Sequence, residues 1–194
     1  MINSFKTLSL FISLLFSSFV YAQVGDSLII HSSLKTLDGK KFDFGGFTKN
    51  KASILVFMSP DCPISQKYTL TLREIAAKYK SQNIPIYLIF PGTYYTKKTI
   101  KEFTKTYLLD FPVLLDDKLK VTKLLQASIT PEVFLFDDAG RVLYSGRIDN
   151  WFESLGKSRF VITERDLLLA LESYLKGEKI VVTKTKSVGC IIQY

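Results

Sequence analysis

Residues 54–65 read ILVFMSPDCPIS, and this stretch decides the fold because it joins a buried strand to a helix. Residues 52–58 form an almost unbroken apolar run, which is typical of a strand covered on both faces. From Ile64 onward, apolar side chains recur at helical spacing as far as Tyr79. The sequence therefore predicts a strand followed directly by a helix that runs to about Tyr79.

Cys62 stands at the junction of these two elements. The unpaired amides of a first helical turn and the positive end of the helix dipole favour thiolate over thiol, which lowers a cysteine pKa from its usual value of about 8.5. The neighbouring carboxylate of Asp61 opposes this effect. The placement predicts a reactive cysteine.

Strand and helix patterns alternate along the rest of the chain. Apolar runs predict strands near residues 27–31, 84–90, 111–115, 133–136 and 141–144, and helical spacing predicts helices over 97–107, 119–126 and 163–177. The last helix is expected to begin at Thr163, because Asp166 stands three residues later as in a capping box. Such alternation implies parallel strands joined by right-handed crossovers, and hence an α/β sandwich.

Residues 1–22 are typical of a secretory signal peptide. Lys6 precedes an apolar run, and Ala22 supplies the small residue that signal peptidase requires. Cleavage there leaves residues 23–194 as a single domain with a C-terminal tail over 177–194. The alternative is an uncleaved anchor, and contact with a membrane is expected only through this segment.

Composition argues against two classes of partner. The formal net charge is +8, but the lysines are scattered among acidic residues, which indicates a solvated surface rather than a nucleic-acid site. A structural zinc site usually takes four cysteine or histidine ligands, whereas the chain has two cysteines and one histidine. We therefore expect no nucleic-acid partner, no metal and no other cofactor.

Three local patterns carry a resemblance to known proteins. The first is FMSPDCPIS at residues 57–65, and the second is Thr130-Pro131 ahead of the strand near 133–136. The third combines that strand with GRID at 146–149 and GCII at 189–192. Together they resemble the thioredoxin superfamily, and within it a peroxiredoxin-like redoxin branch of the alkyl hydroperoxide reductase and thiol-specific antioxidant type. The resemblance implies an α/β, thioredoxin-like three-layer sandwich with a central mixed β-sheet flanked by helices.

The resemblance also implies roles for individual residues. Cys62 takes the position of the family's nucleophile, and Pro131 takes that of the cis-proline that faces it. In the family this proline, with the residue before it, here Thr130, helps to hold an extended substrate. Ser65 stands where a second cysteine would, and it either hydrogen-bonds the Cys62 thiolate or caps local backbone. Because Ser65 cannot resolve a mixed disulfide, another thiol must do so.

Departures from the peroxiredoxin pattern count against peroxidase activity. Peroxiredoxins place a threonine three residues before their reactive cysteine and a proline four residues further back. This chain has Ser59 and Leu55 at those positions. The place of the arginine that holds the peroxide is taken by Pro131.

The two cysteines, Cys62 and Cys190, leave three accounts open. They form a structural disulfide, which would stabilise the fold by about 2–5 kcal/mol. Alternatively, Cys62 attacks a disulfide or hydroperoxide, and Cys190 resolves the product within the chain or across a dimer. In the third account Cys62 is a lone redox thiol resolved by an outside partner, and Cys190 is merely packed.

The leading hypothesis is a secreted, periplasmic thiol-disulfide oxidoreductase that uses Cys62 as nucleophile, with Cys190 as its candidate resolving cysteine. Its expected partners are protein thiols or disulfides and an external reductant protein. One alternative is a thiol peroxidase that acts on small hydroperoxides. The other is a non-catalytic thioredoxin-like module with a structural disulfide, which binds a partner protein.

Overall fold

A computed structural model describes residues 29–194, so the predicted signal peptide at 1–22 lies outside the described residues. The strands are β1 (Ser33–Thr36), β2 (Lys41–Asp43), β3 (Ala52–Phe57), β4 (Ile86–Pro91), β5 (Val113–Asp116), β6 (Ile129–Thr130), β7 (Glu132–Asp137), β8 (Val142–Gly146), β9 (Phe152–Ser154), β10 (Lys157–Ser158) and β11 (Cys190–Ile191). The α-helices are α1 (Pro63–Lys78), α2 (Lys97–Thr106), α3 (Lys120–Leu125) and α4 (Asp166–Lys176). Short 3-10 helices cover Ile29–His31, Phe44–Lys49 and Lys80–Gln82.

Seven strands form the central sheet, in the order β2-β1-β5-β4-β3-β7-β8. Strand β4 pairs in parallel with both β3 and β5, whereas the remaining neighbours are antiparallel. The strands predicted near 133–136 and 141–144 are confirmed as β7 and β8, which pair antiparallel. The sheet is therefore mixed, as the resemblance implies.

Strand β3 shows why helices cover both faces of the sheet. All six of its residues are buried, and alternate side chains point to opposite faces. Ile54 and Val56 pack in one core with α1, α2 and α4. Leu55 and Phe57 pack in the other with α3 and the 3-10 helix at Phe44–Lys49. These layers confirm the predicted sandwich.

The predicted strand near residues 27–31 is wrong over its described part. Ile29–His31 is instead a 3-10 helix, closed by a hydrogen bond of 2.8 Å from the Ser32 amide to the Ile29 carbonyl. This turn buries Ile29 and leaves His31 exposed. An apolar run of this length does not distinguish a strand from a helical turn.

The predicted start of the last helix is also wrong. Helix α4 begins at Asp166, because Thr163 is engaged elsewhere: its amide and hydroxyl hydrogen-bond the Asn150 side chain at 3.0 and 2.7 Å. Asp166 accepts a hydrogen bond of 2.7 Å from Arg147 rather than serving a cap at Thr163. The predicted end is confirmed, since Gly177 adopts a left-handed conformation after the last turn.

The sheet order places two loops side by side. Phe57, at the end of β3, pairs with Glu132, at the start of β7. The loop that leaves β3 carries Cys62, and the segment that enters β7 carries β6. These two segments therefore meet at one edge of the sandwich. Among residues 29–194, no helix combines the length and the apolar character needed to cross a membrane.

Candidate active site

Cys62 occupies the N-cap of α1, with Pro63 at the first helical position. Proline is favoured there because its fixed φ suits a helix and its missing amide hydrogen is not needed. The Cys62 side chain has an exposed fraction of 0%. Its Sγ lies 3.1 Å from the carbonyl oxygen of Thr130, and the Thr130–Pro131 peptide bond is cis, as the resemblance implies. The sequence-predicted neighbours of the cysteine are thus in place.

The C-terminal tail packs against this edge. Strand β11 pairs antiparallel with β6, and this register sets Cys190 opposite Thr130. The Ile192 amide donates to the Ser128 carbonyl at 2.9 Å, and the Thr130 hydroxyl donates to the Cys190 carbonyl at 3.3 Å. Ile192 is itself buried in the core that contains α3. The pairing brings the two cysteines, which are far apart in the chain, into contact.

Gly189 permits this close approach. A Cβ at this position would lie 2.0 Å from the carbonyl oxygen of Thr130 and 2.7 Å from its carbonyl carbon. Both are backbone atoms of β6, so the clash could not be relieved by rotating a side chain. Glycine at this position lets β11 lie directly against β6.

The two thiols differ in their readiness to ionise. Burial opposes ionisation of Cys62, but hydrogen bonds from the Cys190 thiol and from the amide and hydroxyl of Ser65 lower the pKa of Cys62 below its ordinary value. The bond to the Thr130 carbonyl is available only to the protonated form. Burial, together with the hydrogen bond to Cys62, raises the pKa of Cys190 to about 12. Cys62 is therefore the more acidic thiol of the pair, and Cys190 is the less acidic one.

Ser65 lies beneath Cys62 in the first turn of α1 and is fully buried. Its hydroxyl has no nitrogen or oxygen partner among the described residues. Instead it helps to lower the pKa of Cys62. The hydroxyl therefore does not cap local backbone, and its contact with the Cys62 thiolate stays a prediction.

A second polar cluster at this edge was missed by sequence reasoning. The Ser59 hydroxyl donates to Asp61 at 2.8 Å and lies 2.7 Å from the Tyr95 hydroxyl, which in turn hydrogen-bonds Asp61. These bonds, chiefly that from Tyr95, lower the pKa of Asp61. Asp61 therefore carries a negative charge beside the cysteines. The available signal was a tyrosine pair, Tyr94-Tyr95, placed just after a strand that ends at the same edge.

A cavity of about 620 Å³ opens next to this cluster. Its walls come from the loop after β4, from the loop after β3 and from the tail. The lining residues are Ser59, Asp61, Pro91, Gly92, Thr93, Tyr94, Tyr95, Asp117, Leu119, Thr130, Cys190, Ile191, Ile192 and Gln193. Cys190 is among these residues, whereas Cys62 is not. In the part of the chain that the structure describes, no group of three or more His, Cys, Asp and Glu side chains is arranged to hold a metal ion.

Comparison with known proteins agrees with this architecture. Residues 25–145 match the model of the AhpC/TSA family. The thiol-disulfide oxidoreductase ResA of Bacillus thuringiensis is 31% identical over 107 residues, which cover 55% of this chain and 60% of that protein. The chain thus spans somewhat less than two thirds of the length of this relative.

Two solved structures extend the comparison. A hypothetical protein of Sinorhizobium meliloti superposes with a TM-score of 0.74 at 28% identity, and the match covers 84% of this chain and 90% of that one. A secreted disulfide oxidoreductase of Mycobacterium tuberculosis superposes with a TM-score of 0.53 at 20% identity, covering 59% of this chain and 82% of that one. The second likeness shows a shared thioredoxin-like fold.

Proposed function

The chain belongs to the AhpC/TSA family, and we propose that it is a periplasmic thiol-disulfide oxidoreductase in which Cys62 and Cys190 form one reversible dithiol–disulfide pair. One observation carries this proposal: the pairing of β11 with β6 sets Cys190 opposite Thr130, whose carbonyl oxygen lies 3.1 Å from Cys62 Sγ. At this site the pKa of Cys62 is lowered and that of Cys190 is raised. Exchange needs a thiolate that attacks and a second sulfur that completes the cycle. The pair supplies both.

Cys62 is the nucleophile of the proposed pair. Its thiolate attacks when the bond between the two sulfurs forms, and it leaves when that bond is broken. A thiol of lower pKa leaves faster, so the hydrogen bonds from Ser65 promote opening of the disulfide. The hydrogen bond from the Cys190 thiol exists only once the disulfide is open, and it stabilises the reduced form. Thr130 holds the second sulfur in place through the pairing of β6 with β11.

The peroxidase alternative finds less support at the same site. Ser59, at the position of the peroxidase threonine, directs its hydroxyl to Asp61 rather than towards a peroxide at Cys62. Arg147, which follows β8, is paired with Asp166 and Glu164. A negative charge at Asp61 would also oppose the hydroxide or alkoxide that leaves when Cys62 Sγ attacks a peroxide and the O–O bond breaks.

The test is a redox titration of the mature chain. The protein is equilibrated with mixtures of reduced and oxidised glutathione, quenched, alkylated and weighed, and the two peptides are mapped. We expect one reversible two-electron transition that joins Cys62 to Cys190 and disappears in both Cys62→Ser and Cys190→Ser. A bond that survives mild reductant throughout would indicate a structural disulfide. Absence of any bond between the two sulfurs would overturn the proposal.

Two further measurements address the remaining alternatives. On rapid mixing with hydrogen peroxide, the reduced protein should be oxidised no faster than free cysteine, and a far faster reaction would favour a peroxidase. Secretion rests on the sequence of residues 1–22. If it occurs as proposed, protein recovered from the periplasm begins at Gln23, whereas an intact Met1 would indicate a retained anchor.

A further inference from the structure

We propose that Cys190, rather than Cys62, is the sulfur that exchanges with an external thiol, so that the mixed disulfide with the partner forms on the C-terminal tail. This inference rests on the proposed function. It assigns the order of the exchange: the partner bonds first to Cys190, and Cys62 acts only inside the protein.

Access to the two sulfurs is unequal. Cys62 has no exposed surface, whereas Cys190 is partly exposed and forms part of the wall of the 620 Å³ cavity. In thiol exchange the attacking sulfur must approach the sulfur that it bonds to. With the tail docked, a partner entering the cavity meets Cys190 and is separated from Cys62 by the tail itself.

The tail is held in this position by contacts on both sides of Cys190. Before it, Gly189 packs on the backbone of Thr130. After it, the Ile192 amide bonds Ser128 and its side chain is buried. Further on, the Tyr194 hydroxyl donates to the carbonyl of Ala127. Because all these contacts lie outside the two sulfurs, they hold the tail over Cys62 whether or not the disulfide has formed.

The cavity indicates the chemistry of the partner. Tyr94, whose side chain is 79% exposed, and Leu119 offer apolar contact beside Cys190, while Asp61 and Asp117 supply negative charge. The cavity therefore suits a cysteine whose neighbouring side chains are apolar or basic. A partner with two cysteines, in a peptide or protein, fits the electron count of the reaction.

The exchange balances as two displacements. A partner thiolate attacks Sγ of Cys190, the bond between Cys190 and Cys62 breaks, and its electron pair leaves on Cys62. The partner's second thiolate then attacks the partner sulfur that is bonded to Cys190, and Cys190 leaves and takes a proton from solvent. The partner is oxidised to a disulfide and the protein is reduced to the dithiol. In the opposite direction, the Cys62 thiolate attacks Cys190 and expels the partner.

The first experiment traps the mixed disulfide on the wild-type chain. Oxidised protein is mixed briefly with 2-mercaptoethanol and quenched in mildly acidic denaturant that contains N-ethylmaleimide, and its peptides are mapped by mass. We expect the mercaptoethanol adduct on the Cys190 peptide and the maleimide adduct on the Cys62 peptide. The reverse assignment at the shortest reaction times would overturn the proposal.

The second experiment uses matched single-cysteine variants. Reduced Cys62→Ser and Cys190→Ser are each mixed with 2,2′-dithiodipyridine, a neutral aromatic disulfide. The lower pKa of Cys62 would make it the faster thiol if both were equally accessible. We expect the opposite: Cys190→Ser, which reports Cys62, should react about tenfold more slowly or worse, because Cys62 reacts only when the tail opens. Equal rates, or faster reaction of Cys190→Ser, would contradict the assignment.

The two failures are distinguishable. If the redox titration joins the two sulfurs but the adduct maps to Cys62, the proposed function stands and the order of exchange is wrong. If no bond forms between Cys62 and Cys190 at any ratio of reduced to oxidised glutathione, both proposals are refuted.

Discussion

Replacing Gly189 by alanine should uncover Cys62. The new Cβ would lie 2.0 Å from the Thr130 carbonyl oxygen, a backbone atom in β6, so the tail must move away. Overpacking of this kind costs about 1–3 kcal/mol. The docked tail is held by a few backbone hydrogen bonds, each worth about 0.5–1.5 kcal/mol, and by burial of Ile192, worth about 1.5–3 kcal/mol. Because the clash and the docking energy are of the same order, a large increase in the undocked population follows.

A clash of about 1–3 kcal/mol corresponds to a population change of about 5–150-fold. The assay is alkylation of Cys62 by iodoacetamide in a Cys190→Ser background, where Cys62 is the chain's one remaining thiol. When opening and closing are fast relative to alkylation, the rate follows the open population. Adding Gly189→Ala should therefore accelerate alkylation by about 5–150-fold, compared at equal thiolate fraction.

The matched control is Gly46→Ala, because a Cβ at Gly46 would meet no atom within 4 Å. Circular dichroism and the thermal midpoint establish that each variant is folded. An unchanged alkylation rate in Gly189→Ala would refute the claim that the tail covers Cys62. An equal acceleration in Gly46→Ala would refute the claim that the effect comes from the clash.

Three further predictions concern the charges around the sulfurs. Cys190→Ala removes a hydrogen bond that lowers the pKa of Cys62, so the thiolate should appear at higher pH; the pH dependence of ultraviolet thiolate absorbance measures this, with Cys62→Ser as the blank. Ser65→Ala should likewise raise the pKa of Cys62. It should change the free energy of unfolding by less than about 1 kcal/mol, because the buried hydroxyl has no nitrogen or oxygen partner to lose. Denaturant titration measures the stability, and a large loss of stability would indicate a structural role. Asp61→Asn should reduce the preference of the oxidised protein for cationic cysteamine over anionic 2-mercaptoethanesulfonate, with the two rates measured by stopped-flow and compared per thiolate. Added salt should also weaken the preference of the wild-type protein. An unchanged preference in the variant would place the attack away from this carboxylate.

The fold could be predicted from the sequence where the local pattern and the tertiary structure favour the same element. Strand β3 could be recognised because every one of its residues is buried, and helix α1 because its apolar face repeats over four turns. The two errors, at Ile29 and Thr163, are places where a local signal was overridden. The Ile29 carbonyl accepts a hydrogen bond from the Ser32 amide instead of pairing with a strand. The Thr163 amide bonds the Asn150 side chain instead of starting the helix.

The candidate site was predictable in its parts but not in its arrangement. Cys62, Thr130 and Pro131 could be identified from a resemblance, whereas the register of the tail could not. Strand β11 has two residues, and its pairing partner β6 has two as well. Strands of two residues are too short to show a sequence periodicity. Their register depends on Gly189, and the need for glycine there follows only from the position of the Thr130 carbonyl. For the same reason the sequence left open whether the two cysteines meet: two of the three accounts join Cys62 to Cys190, and the third does not.

Docking of the tail and formation of the disulfide must reinforce each other. If docking favours the bond between Cys62 and Cys190 by some factor, then the bond favours docking by the same factor, because coupling between two equilibria is reciprocal. In the reduced Gly189→Ala protein the tail can escape the clash with Thr130 by undocking, whereas in the oxidised protein the bond holds it against β6. The variant should therefore have a weaker disulfide, with a reduction potential more positive by up to about 20–65 mV for a cost of about 1–3 kcal/mol. The same glutathione titration measures this shift, and an unaltered potential alongside faster alkylation of Cys62 would show that the tail opens without carrying Cys190 with it.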